Sequence, residues 1–90
     1  MLNRIYIGSN NKTHKLEYNK AIRITAKQFQ GFTAIKGLGY WQGVQERNLI
    51  LEIESDNESK VQGLIKRLAK ELNQSAIGWA TIGEMNFISA

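Results

Sequence analysis

Apolar residues alternate, then recur at helical spacing, then alternate again along this chain. Over residues 2–7 the period is two: Ile5 and Ile7 point to one side, Arg4 and Tyr6 to the other, as in a half-buried strand. Gly8, Ser9, Asn10 and Asn11 follow, all residues that favour turns. Thr13 is placed to cap a helix over residues 15–30, where Tyr18, Ile22, Ala26 and Phe29 share one face. Gly31 suits the position that stops it. Residues 32–36 read as a second strand, and the glycine-spaced aromatic stretch 37–43 as the start of a hairpin. Residues 47–54 read as a third strand, with Leu49, Leu51 and Ile53 on a dry face and Asn48, Ile50, Glu52 and Glu54 opposite. Ser55 and Glu58 have the spacing of a capping box. Behind it Val61, Leu64, Ile65, Leu68 and Leu72 mark one face of a second helix. Residues 73–75 end that helix, and 76–88 form a last strand or strand pair with a bend at Gly83.

The order is therefore β-α-β-β-α-β. The simplest closed solution is an α+β, ferredoxin-like plait: a four-stranded antiparallel sheet with two helices on one face. The 90 residues suffice for one domain, spanning 1–90, and for only a modest core. In such a plait the first and second strands run parallel, so three connections meet at one end of the sheet. They are the loop at Ser9, Asn10 and Asn11, the hairpin at 39–46, and the loop at 73–75.

Composition narrows the chemistry. Cysteine is absent, which excludes disulfides, thiol nucleophiles and zinc–thiolate sites. No apolar run approaches the length of a membrane span, and the N-terminal residues lack the pattern of a signal peptide, so a soluble, cytoplasmic protein is expected. The net charge of +4 is uneven: residues 1–45 hold seven lysines and arginines against Glu17 alone, residues 46–90 five against seven acids. The basic half points to an anionic partner. Lys20, Arg23 and Lys27 form a basic stripe on the first helix, for which only weak, nonspecific nucleic-acid binding is expected.

The convergent end is where a ligand is expected. Asn10, Asn11 and Gln74 are amides that can read a base or sugar edge. Tyr40 and Trp41 offer stacking faces, or else lids over the core. Lys12 can neutralise a phosphate, Gly39 gives backbone clearance, Ser9 offers a hydroxyl, and Glu46 can accept from ribose hydroxyls. The run of Gly37, Gly39 and Gly43 does not fit the dinucleotide fingerprint. His14 is the only histidine and stands beside Lys15, away from any expected acid, while Glu52 and Glu54 share a strand face. These give neither a triad nor a metal cluster, and neither catalysis, a metal nor a cofactor is expected.

This layout resembles the PII-like signalling proteins and other small ferredoxin-like regulators. The resemblance implies an oligomer with ligands near the hairpin, here 39–46, and near the loop after the second helix, here 73–75. The hairpin is much shorter than in that group, and the second loop lacks a basic, glycine-rich phosphate segment, so specific nucleotide contacts do not carry over. The expected function is thus a non-enzymatic, homo-oligomeric binder of a nucleotide-like or other small anionic or polar ligand. It would act as a sensor or a sequestering protein, the latter including one encoded by a virus or mobile element. A protein-interaction module or inhibitor using Tyr40 and Trp41 is the alternative. A weak RNA-binding plait comes third, because the central strands offer only Tyr6 for stacking.

Overall fold

A computed structural model describes residues 1–9 and 12–89. Its elements are β1 (Leu2–Ile7), α1 (Tyr18–Ala26), β2 (Thr33–Trp41), β3 (Val44–Glu54), α2 (Glu58–Glu71) and β4 (Gly78–Gly83). The strands form one sheet in the order β2-β3-β1-β4, with β1 antiparallel to both β3 and β4, and β2 antiparallel to β3. β3 therefore lies between β1 and β2 and splits the β1-α1-β2 unit, which is the α+β plait that the alternation predicts.

Side-chain alternation fixes the two faces. Ile5 and Ile7 of β1, with Leu49, Leu51 and Ile53 of β3, turn to the helices and are fully buried. Against them α2 packs Val61, Leu64, Leu68 and Leu72, the face its spacing marks. The two helices run antiparallel: Lys20 near the start of α1 donates to the carbonyl of Glu71, and Lys60 near the start of α2 lies 4.6 Å above the Phe29 ring.

Helix α1 departs from its expected bounds and face. It starts at Tyr18, not residue 15, with Glu17 at the N-cap and no side-chain cap. His14 explains the delay: its φ of 59° lies in the left-handed region, which a helix cannot continue through. The buried residues are Ala21, Ile24, Thr25 and Phe29, with Tyr18 partly covered, so the face is rotated away from Ile22 and Ala26. The rotation hides a hydroxyl, made tolerable because Thr25 Oγ1 donates to the Ala21 carbonyl at 2.8 Å.

The hairpin also differs. Residues 37–41 and 44–46 are ladder, not loop: β2 and β3 pair without interruption from Thr33 opposite Glu52 to Trp41 opposite Val44. Only Gln42 and Gly43 turn, with φ of 50° and 79°, the two successive positive values of a type I′ hairpin. At α2 the N-cap is Asn57, whose side chain accepts from the Lys60 amide at 3.0 Å; Ser55 Oγ accepts from the Asn57 amide instead. β4 is short, and the register slips between Leu2 and Asn3 opposite Gly83, whose φ of 123° makes the expected bend. Asn3 is buried and ties three strands: it donates to the carbonyls of Ile53 and Ser55 and accepts from Trp79 Nε1.

Candidate functional site

The root of the β2–β3 hairpin lies beside the end of β1, as the strand order requires. Two grooves open there, one on each side of β3. The open-face groove, of about 220 Å³, is lined by Tyr6, Gly8, Gly39, Trp41, Glu46 and Asn48. The helix-side groove, of about 510 Å³, is lined by Ser9, His14, Lys15, Tyr18, Glu46 and Arg47 among others. Glu46 and Arg47 border both. They are neighbours on a strand, so their side chains leave opposite faces of the sheet.

The expected residues within the described range fall as follows. Ser9 lines the helix-side groove; Gly39, Tyr40 and Trp41 line the open-face groove; Glu46 lies between. Lys12 sits in the turn leading to α1 and lines neither groove. Asn10 and Asn11 lie outside the described residues. Gln74 reaches the right end, but its amide nitrogen donates to the carbonyls of Gly8 and Ser9. It braces the loop after β1 against the end of α2, and that donor is committed within the chain. Tyr40 and Trp41 are 71% and 69% exposed, so neither covers the core.

Three residues without an assigned role complete the site. Asn48 pairs with Gly37 across the ladder and lies flat over β2: a Cβ on Gly37 would stand 2.5 Å from Asn48 Oδ1, and one on Gly39 3.2 Å from its Nδ2. Asn48 Oδ1 is buried and accepts no hydrogen bond among the described residues, an orphan that native interiors avoid. The signal was present in the sequence as two glycines one residue apart, facing an asparagine. Arg47 and Lys15 make no ion pair among the described residues.

On the open face Arg4 and Glu52 form an ion pair. Arg4 binds Glu52 through Nε at 2.9 Å and Nη2 at 2.5 Å. Hydrogen bonds that Arg4 donates to Glu52 and, secondarily, to Tyr6 hold its guanidinium above its ordinary pKa. Among the described residues no group of three or more His, Asp or Glu is arranged to hold a metal ion. No helix among them is long and apolar enough to cross a membrane.

Fold and site together describe a small α+β plait with paired grooves at its hairpin root. No family model matches the chain, and no curated protein matches it by sequence. Among solved structures the fold is similar to that of a phage SAM lyase in the apo state, with a TM-score of 0.60 and 22% identity, covering 87% of this chain and 75% of that one. The likeness is one of fold, and it corrects the expectation that the chain is not an enzyme. That expectation rested on the lack of a triad or metal cluster and on reading Glu52 and Glu54 as a solvated strand face. A lyase splits a bond without hydrolysis, so a chain without the marks of a hydrolase is not thereby a non-enzyme.

Proposed function

We propose that the chain binds a small adenosine-bearing sulfonium of the SAM class at the hairpin root and breaks it down as a lyase. One observation carries the reading. An exposed indole, a phenol ring, a carboxylate and an orphaned amide converge on one groove, in a fold similar to that of a SAM lyase. Trp41 offers the flat face on which an adenine stacks. Glu46 and the faces of Tyr6 and Trp41 favour a cation such as a sulfonium. Asn48 lines the same groove, its Oδ1 buried against Gly37 and without a partner among the described residues.

The chemistry asks little of the protein. A sulfonium is already activated, because its leaving group is a neutral thioether. When the C–S bond breaks, the electron pair goes to sulfur. The carbon left behind is satisfied by an oxygen of the ligand's own carboxylate, or by loss of a proton from the neighbouring carbon to a base. Both routes balance without water or an oxidant. A protein of this kind removes its ligand from circulation, which links the sequestering role to turnover. We further propose that the chain works as a homo-oligomer, with a second copy covering the exposed hairpin.

Calorimetric titration with SAM, followed by chromatography of the incubated mixture, tests the reading. Saturable binding is expected, with a thioether nucleoside accumulating over time. Trp41→Ala weakens binding about tenfold or more, as the loss of a base–aromatic stack does. Because Trp41 is exposed, the same variant keeps its melting temperature within a few degrees. Binding without product reduces the role to sequestration, and no binding by the unmutated protein defeats the reading.

A further inference from the structure

Resting on the SAM-class reading, we propose that the helix-side groove is a carboxylate subsite, in which Arg47 and Lys15 take the amino-acid end of the ligand. The first support is the division of charge at the hairpin root. Glu46 and Arg47 are consecutive on β3, so a negative group leaves toward the open face and a positive one toward the helix side, while both residues border both grooves. A ligand that is cationic at one point and anionic a few bonds away is read by such a pair.

The second support is which cations are already engaged. Arg4 is neutralised by Glu52. Lys36, also on the helix side of the arm, lies 4.6 Å above the Tyr18 ring. Arg47 and Lys15 line the helix-side groove and form no ion pair among the described residues. An arginine fork facing a groove matches the two oxygens of a carboxylate. The third support is backbone strain. His14, next to Lys15, holds a left-handed φ of 59° at the rim of this groove, a conformation costly for a residue with a Cβ. It swings residues 12–17 alongside the hairpin instead of into α1.

The test compares SAM with its decarboxylated form, which differs only by the carboxylate. With the unmutated protein, SAM binds more tightly than the decarboxylated ligand. R47Q weakens SAM binding about tenfold and leaves the decarboxylated ligand unchanged, and Lys15→Gln acts the same way to a smaller degree. E46Q weakens both ligands, because both keep the sulfonium and the amine. Arg47 is exposed, so a matched melting curve separates these effects from misfolding. Equal weakening of both ligands by R47Q, or no weakening of SAM, overturns the subsite alone. Failure of the unmutated protein to bind either ligand overturns the SAM-class reading and the subsite with it.

Discussion

Gly37 and Asn48 act as one unit across the β2–β3 ladder. The side chain of Asn48 occupies the space that a side chain on Gly37 would need, with the virtual Cβ 2.5 Å from Oδ1. Gly37→Ala therefore forces Asn48 out of its place and costs about 1–3 kcal/mol, the usual range for overpacking. Urea melts read this directly. Gly31→Ala has open space around its new methyl and serves as the control, changing stability little. Combining Gly37→Ala with Asn48→Ala restores most of the loss, since the clash and the orphaned oxygen leave together. The residue scale is also where sequence reasoning reached least far. It placed Gln74 at the right end of the sheet, yet a free amide and a bracing amide look identical in sequence; only the carbonyls of Gly8 and Ser9 decide. Asn3 reads as a polar residue at a strand start, and its burial beneath Trp79 depends on a strand 76 residues away.

Helix α2 is the element whose face the spacing predicts most directly. Leu64 and Leu68 are fully buried while Lys66 is exposed, one helical turn carrying both extremes. Leu64→Ala or Leu68→Ala should lower stability by about 2–5 kcal/mol. Lys66→Ala should change it by less than about 0.5 kcal/mol. Similar losses in all three variants would show that the helix packs on another face. The faces of β1, β3 and α2 were legible because each runs through the core and repeats its period several times. Helix α1 was less so: its apolar residues allow more than one stripe, and the choice fell to Thr25, which can hide its hydroxyl by bonding back to Ala21. The hairpin misled for a different reason. Glycines usually weaken strands, so 37–43 read as loop. Here the glycines make room for Asn48, and pairing continues through them to the two-residue turn.

At the scale of the molecule, the β2–β3 arm reaches past the helices. The radius of gyration is 13.4 Å, against about 12 Å for a compact chain of this length, and the longest extent is 42 Å. The arm is uncovered on both faces. Leu38 stands exposed on the helix side, Trp41 and Val44 on the other, and Tyr6, Ile35 and Ile82 extend the apolar surface along the open face. A two-stranded ribbon is marginal by itself in water, and this one offers hydrophobic groups to solvent instead of burying them. In the proposed homo-oligomer a second copy would cover this surface, its own open face supplying the same apolar groups around a neutralised Arg4–Glu52 pair, with an isologous contact repeating each match. Sedimentation equilibrium at micromolar concentration should then give a multiple of the 10.2 kDa chain mass. Val44→Lys places a charge at the tip of the arm, in a ladder position where the backbone pairing with Trp41 is kept, so the variant stays folded and shifts toward the single-chain mass. A single-chain mass for the unmutated protein throughout the micromolar range would sink the assembly and leave the ligand groove as a site formed by one chain alone. A multiple that Val44→Lys leaves intact, with normal melting, would move the contact away from the hairpin and onto another surface.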